Sequence, residues 1–364
     1  MFDRNEDQAL LADSVEKFVA RHYGDEARMA MGQTSLNSEI WGEVAEQGWL
    51  MLPFTEAFGG LRQDGETGAG DMATLFESMG AGLMLEPVLA SSVLAGGLLY
   101  HSPKAETFAD DIAEIAAGTK RAAAALHEPR ARHNIAYCET KADGSGESWT
   151  LTGTKSMALG GGDADLLLVP ARVKGAAGDG LDGVGLFLVD ANAAGLTVKP
   201  YRLRDDHWAA DLVLEGTSAR LIAEPGEAES VLQIAIDKAR LCLAAESVGI
   251  ADRAMKTTLD YTKERRQFGK ALAEFQVIQH YLVDMSNQLE TARSLVYAAV
   301  FAADAGWSPA AHTAIARAFK AACDNGMAIT KQAVQLHGGM GMSEEMPLGR
   351  LLRRQLAISL LYPA

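Results

Sequence analysis

Apolar positions recur at helical spacing over the first 120 or so residues. Asp7 to His22 carries Leu10, Leu11, Val15, Phe18 and Val19 on one face, which predicts an amphipathic helix. Ser38 to Leu50 predicts a second helix with Ser38 as its N-cap. Pro53 to Gly60 reads as a loop ending in Gly59-Gly60. Asp71 to Met84 and Pro87 to Leu99 predict two further helices, apolar on most faces.

The pattern changes near residue 120. Asp143-Gly144-Ser145-Gly146 is a turn signal, and Ser148 to Leu151 after it has strand-forming residues. Leu166 to Val169, Val184 to Val189, Leu196 to Val198 and Asp211 to Leu214 are short apolar runs between glycines and charges. Several short strands predict a sandwich or barrel of about 100 residues. Pro225-Gly226 closes that region. Glu227 to about Arg265 then has almost no helix breaker except Gly249, and as one helix it would span ~58 Å. Phe275 to Ala305 predicts a second long helix. Ser308-Pro309, an N-cap followed by an N1 proline, opens a third that runs to Leu336. Pro347 to Leu361 predicts a fourth. The fold class is therefore mostly α with a central β domain. An N-terminal helical domain (1–120) and a β domain (121–225) precede a C-terminal four-helix bundle (226–364).

Composition narrows the partners. The 364 residues are 48% apolar and 22% charged, as in ordinary globular chains. A net charge of −15 argues against a nucleic-acid partner, since such binding rests on a basic surface. A few local arginines could still hold an anionic ligand. Cys138, Cys242 and Cys323 are too scattered for a disulfide framework or a metal cluster, so no metal is expected. The expected setting is reducing and cytoplasmic. Met1 to Asp7 lacks the basic and apolar regions of a signal peptide, and no apolar run reaches the ~18 residues of a membrane span.

Two segments interrupt the apolar helices with chemistry. Glu264-Arg265-Arg266-Gln267-Phe268-Gly269-Lys270 and Gln335-Leu336-His337-Gly338-Gly339-Met340-Gly341 each set glycine, a flat side chain and a guanidinium or amide at a helix end. That combination suits a large, flat, phosphate-bearing cofactor.

With the domain order, these segments resemble the acyl-CoA dehydrogenase family. Glu264 to Lys270 followed by Glu274 to Gln279 is similar to its "ERxxFGxxxxxxQ" segment, and Gln335 to Met342 followed by Pro347 to its "QxxGGxG…P" segment. Leu52-Pro53 with Phe58-Gly59-Gly60, and Gly153-Thr154-Lys155, resemble two further family motifs. The Glu128-Pro129 turn and the Gly185 to Asp190 strand are most similar to the small-subunit type of pimeloyl-CoA dehydrogenase. The resemblance implies FAD as cofactor, an acyl-CoA substrate desaturated between Cα and Cβ, and an electron-transfer acceptor. It also implies an oligomer, because each FAD in the family is held by two chains.

By position in the motifs, Arg265 would pair with the FAD diphosphate, and Phe268 would lie against the adenosine half. Gln276 would contact FAD from the neighbouring subunit's side. Gln335, Leu336, His337, Gly338 and Gly339 would form the second FAD segment. Asp237 and Arg240 lie on the stretch that lines the acyl-CoA site in the family. Each also admits a structural reading: an exposed helix-end arginine, core packing, a simple C-cap, or a salt bridge within the bundle.

The base that removes the α-proton is where the chain departs from the family. The family's usual carboxylate position falls on Tyr362, and a second known position falls on Ala239. Glu246, seven residues beyond Ala239 and on nearly the same helix face, is the candidate base, although it lies ~10 Å further along the axis. The alternative for Glu246 is a buried carboxylate paired within the bundle. The flavin-contacting loop is also altered, to Leu126-His127-Glu128-Pro129-Arg130-Ala131-Arg132-His133-Asn134. These departures point to the small subunit of a heteromer whose paralogous large subunit supplies the base. The resemblance suggests dicarboxylic, aromatic or steroid-derived acyl-CoAs as its setting. A self-sufficient homo-oligomeric dehydrogenase and a non-catalytic structural paralogue stay open.

Overall fold

A computed structural model describes residues 4–24, 37–146, 148–175, 178 and 180–363. Met1 to Asp3, part of the leader reading, lie outside it. The helices are α1 (Glu6–His22), α2 (Ser38–Glu46), α3 (Ala69–Gly82), α4 (Gly97–Tyr100), α5 (Ala109–Ala116), α6 (Ala228–Glu264), α7 (Gln276–Asp304), α8 (Pro309–His337) and α9 (Leu348–Leu360). The strands are β1 (Ala122–Ala124), β2 (Lys141–Ser145), β3 (Ser148–Leu159), β4 (Leu166–Arg172), β5 (Val184–Asp190), β6 (Leu196–Arg202), β7 (Trp208–Ala223), β8 (Arg266–Gln267) and β9 (Lys270–Ala271).

Local chemistry sets several boundaries. Asn5 and Gln8 form a reciprocal capping box at the start of α1. Ser308 Oγ accepts from the Ala311 N–H at 3.3 Å and Pro309 occupies the first turn of α8, as the sequence predicts. Elsewhere the structure differs. The cap of α2 is Asn37, whose side chain accepts from the Glu39 and Ile40 N–H groups, and Ser38 is already helical. Leu89–Gly96 is π-helical before the chain returns to α geometry in α4. Part of the expected Asp143 to Gly146 turn is instead strand, because β2 pairs with β3 up to Ser145↔Ser148.

The chain forms two compact units. One comprises Met1–Met29, Ala69–Met84 and Arg240–Ala364, and the other Ala30–Gly68 and Leu85–Ala239. α3 falls in the same unit as the C-terminal helices. In the β-containing unit the strands run in the order β1-β4-β2-β3-β7-β5, and a further β4–β5 pairing closes the ring. Alternate residues such as Leu151, Leu167, Val169, Phe187, Val189 and Leu212 point into its core.

In the helical unit, α3 meets α6 with almost no side chain between them. A Cβ on Gly80 would collide with the backbone of Glu246, and one on Gly249 with the Glu77 carbonyl. Beside this crossing, Arg293 of α7 bonds Asp252 at 3.2 Å, Glu290 at 2.6 Å and Glu77 at 3.5 Å. These groups, with Arg4 and Tyr297, line a cleft of about 800 Å³ that contains none of the ligand positions expected from sequence. Among the described residues, no helix is long and apolar enough to cross a membrane, and no His, Cys, Asp and Glu cluster could hold a metal.

Candidate functional site

The long helix α6 ends at Glu264, and the Arg265 N–H still donates to the Tyr261 carbonyl at 2.8 Å. The chain then turns sharply through the β8–β9 hairpin, whose register is Arg266↔Ala271 and Gln267↔Lys270. Its two turn residues, Phe268 (φ 52°) and Gly269 (φ 85°), both have positive φ. That is the geometry of the tight primed turns that fit a hairpin's twist. Glycine adopts it freely, whereas a phenylalanine there is an outlier. The ring is also 93% exposed. A large apolar side chain held in strained backbone and in water marks Phe268 as a candidate contact position.

The second segment closes α8. The Gly338 N–H donates to the Gln335 carbonyl, and Gly338 has φ 59° and ψ −137°, a conformation reserved for glycine. A Cβ on Gly338 or Gly339 would meet nothing within 4 Å, so both backbones stand open. Gly341 is different: a Cβ there would run into the Val334 carbonyl, so its role is close packing.

Tyr261 brings the two segments together. Its ring stacks on His337 with centroids 4.1 Å apart and planes 21° from parallel. His337 is buried, and its Nδ1 lies 2.9 Å from the Ala333 carbonyl oxygen. Burial lowers its pKa and the backbone hydrogen bond partly opposes this. The ring is therefore neutral at pH 7, with Nδ1–H as donor. Arg265, Phe268, Gln276, Gln335, Gly338 and Gly339 are all exposed, and Leu336 is half-buried. An exposed guanidinium, an exposed phenyl ring and open glycines at one end of the bundle fit FAD. The guanidinium can fork onto two phosphate oxygens, and backbone without Cβ atoms permits close approach.

The positions expected at the substrate behave otherwise. Asp237 is 5% exposed, and its Oδ1 accepts from Gln233 Nε2 at 3.0 Å. Arg240 is 8% exposed; its Nε donates to the Tyr362 carbonyl at 2.9 Å and its Nη2 to the Pro363 carbonyl at 2.6 Å. Tyr362 is buried with φ 46°, and burial pushes its phenol well above the ordinary range. It is no proton acceptor near neutral pH.

Glu246 requires a correction. Arg354 of α9 grips it in a fork, Nε to Oε1 at 2.6 Å and Nη2 to Oε2 at 2.9 Å, with both side chains buried. Next to this pair Gln355 Nε2 donates to Ser247 Oγ at 2.8 Å, and Ser247 Oγ donates to the Ala322 carbonyl at the same distance. Glu246 is thus the paired carboxylate that the sequence left as its alternative. The fork to Arg354 holds this buried carboxylate against α9 as half of an ion pair, a structural arrangement rather than that of a base facing substrate.

The altered loop of the β domain is tied down internally. Glu128 Oε1 accepts from Lys155 Nζ at 2.6 Å, from Thr140 Oγ1 at 2.7 Å and from the Thr140 N–H at 3.0 Å, while Oε2 accepts from the Glu139 N–H at 2.6 Å. Burial alone would raise the Glu128 carboxyl. The Lys155 charge and these hydrogen bonds outweigh it and hold the carboxyl below its usual range.

Sequence reasoning missed Tyr261, Arg354 and the Glu128–Lys155 pair. Arg354 had a signal, a charge on the buried stripe of an apolar helix. Tyr261, one turn before Arg265, had none.

Comparison with known proteins agrees across the chain. Residues 5–118, 123–216 and 230–361 match the N-terminal, middle and C-terminal domains of acyl-CoA dehydrogenase. The short-chain-specific acyl-CoA dehydrogenase of Megasphaera elsdenii is 30% identical over 335 residues, covering 87% of this chain and 84% of the relative. A solved variant of the Tcur3481-Tcur3483 steroid ACAD superposes with a TM-score of 0.84 at 30% identity, covering 97% of this chain and 93% of that one. Butyryl-CoA dehydrogenase from Megasphaera elsdenii superposes with a TM-score of 0.89 at 25% identity, covering 100% and 96%.

Proposed function

Because this chain belongs to the acyl-CoA dehydrogenase family, flavin-dependent oxidoreductases with FAD as cofactor, we propose that it is the small subunit of a heteromeric acyl-CoA dehydrogenase. A paralogous large subunit completes the reaction centre. The observation that carries this reading is the lack of a free carboxylate at the expected positions. Tyr362 is a buried phenol, Ala239 has no acid and Glu246 is locked to Arg354.

When bound, FAD supplies the hydride acceptor for the substrate's Cβ. The residues of this chain bind and orient. Arg265 offers a fork to the diphosphate, Phe268 an apolar face, and Gly338-Gly339 an unobstructed backbone. Gln276, exposed at the start of α7, would contact cofactor from across the subunit interface. The exposure of Phe268 and Met342 in water also favours a second chain against this end of the bundle. The base and the flavin-ring loop come from the large subunit, which holds the acyl-CoA with its α-carbon against that base. Dicarboxylic, aromatic or steroid-derived thioesters are the favoured substrates, on the family resemblance, with an electron-transfer acceptor downstream.

Absorbance spectroscopy tests the assignment. Co-expression with a genomically adjacent paralogue is expected to give a yellow complex whose flavin bleaches with an acyl-CoA. The chain alone is expected not to bleach. Bleaching by the chain alone would instead establish the self-sufficient homo-oligomer. A co-expressed complex without flavin would remove both catalytic readings.

A further inference from the structure

The residues matched to the two ligands differ in one respect. Those of the FAD segments stand largely in solvent, whereas those at the thioester end are closed and bonded to one another. The resemblance puts Tyr362 at the family's usual base position and Arg240 on the stretch that lines the acyl-CoA site, and both are buried. The Arg240 fork, which could take a carboxylate or phosphate, takes two successive backbone carbonyls, those of Tyr362 and Pro363. The segment leaves α9 directly, with the Leu361 N–H donating to the Ala357 and Ile358 carbonyls at 3.2 and 3.1 Å. Leu361 is itself buried. Tyr362 holds a left-handed backbone that a bulky residue keeps only when its surroundings fix it.

We propose that Leu361–Pro363 is a plug. Anchored by Arg240, it fills the thioester end of this chain's own acyl pocket. Arg240 is then a positioning residue that acts through the strap rather than a substrate ligand. The acyl-CoA turned over in the assembly is held by the other subunit. This inference rests on the acyl-CoA reading of Arg240 and explains which subunit of the proposed heteromer takes substrate.

The test needs neither flavin nor a partner, so it remains legible if the heteromer reading fails. The full chain and a variant ending at Leu360 are treated with phenylglyoxal, and modified arginines are mapped by mass spectrometry. In the full chain Arg240 is expected to stay unmodified while exposed Arg265 reacts. Removal of the strap is expected to speed Arg240 modification by about tenfold or more, as opening of a protected site does. Butyryl-CoA is expected to block that modification in the shortened variant. Arg240→Lys, which cannot fork, covers the case in which the shortened variant does not fold. Hydrogen exchange at Leu361 is expected to rise about tenfold in it. The plug is overturned if Arg240 reacts as fast as Arg265 in the full chain, or if it stays protected without the strap. It is equally overturned if butyryl-CoA leaves the exposed Arg240 unprotected, or if exchange at Leu361 is unchanged in Arg240→Lys.

Discussion

Tyr261 and His337 lie face to face with ring centroids 4.1 Å apart, and this stack fastens the end of α6 to the end of α8. Tyr261 lies one turn before Arg265 and His337 lies within the Gln335–Gly339 segment proposed to hold FAD, so the stack fixes the spacing between Arg265 and Gly338. Such pairs contribute about 0.5–1.5 kcal/mol beyond the area they bury. Tyr261→Ala is therefore expected to lower the melting temperature by a few degrees and to reduce flavin content after gel filtration. Unchanged flavin content would show that the stack does not set the spacing. The His337 pKa is lowered in the folded chain, mainly by burial. Its contribution to stability is thus complete above the unfolded value near 6.5 and is lost as pH falls toward the folded value. His337→Phe, which keeps a flat ring, is expected to melt with a weaker dependence on pH between roughly 7.5 and 5 than the parent.

Arg265 is exposed and ends a helix, so its replacement touches no packed interior. Arg265→Ala is expected to leave the melting temperature of the flavin-free chain within about a degree and to weaken FAD binding by ~1.5–3 kcal/mol, roughly 10- to 150-fold. Arg265→Lys keeps the charge and loses the fork, and is expected to recover only part of that affinity. Isothermal titration of the assembled apoprotein with FAD measures both. Full recovery by lysine would mean that charge alone is read there.

Glu246→Ala leaves Arg354 buried without its counter-charge, a change that costs about 3–5 kcal/mol. The double replacement Glu246→Leu with Arg354→Met is expected to restore most of that loss, since an apolar pair of similar volume avoids the desolvation of both ions. Denaturant unfolding of the single and double variants gives both numbers. Glu246→Gln in the co-expressed complex is expected to leave the rate of flavin reduction within about threefold, because the change is structural. A thousandfold loss would return Glu246 to the chemistry.

The Glu128–Lys155 pair predicts an acid dependence of the β-containing unit. The Glu128 carboxyl titrates lower in the folded than in the unfolded chain. Its stabilisation is therefore present above the unfolded value, near 4.3, and is lost as pH falls through the folded value. Lys155→Met removes the cation and should cost ~3–5 kcal/mol at pH 7, with a smaller penalty once acid has neutralised Glu128. Chemical denaturation at pH 7 and near pH 4 checks the difference. An equal penalty at both would mean that the ion pair is not the source.

Much of this architecture is legible in one dimension because periodicity is local. α1, α6, α7 and α8 follow from apolar spacing and from caps such as Ser308-Pro309. β1 was not legible, because Ala122–Ala124 has no strand propensity and owes its form to pairing with Leu166–Leu168. The π-helical turn at Leu89–Gly96 likewise lies beyond propensity. In the site, Arg265, Phe268 and Gly338 were visible as a motif. The partner of Glu246, 108 residues away on another helix, was not, since apolar patterning marks which face is buried but not which charge lies opposite. Exposure was also invisible: nothing in the order of residues tells that Phe268 stands in water while Arg240 does not.

The glycine crossing of α3 and α6 has a consequence for how the chain is made. α3 has been synthesised once 82 residues exist, and the backbone it rests on, around Glu246 and Gly249, comes some 160 residues later. At ~5–20 residues per second, that is on the order of ten seconds or more without its seat. During that time α3, whose Met72, Leu75, Phe76 and Met79 are all buried in the finished fold, has α1 beside it but not the later helices of its unit. The β-containing unit, by contrast, has its last strand complete at Ala223 and can close first. The helical unit is therefore expected to assemble around a segment that has waited for its seat.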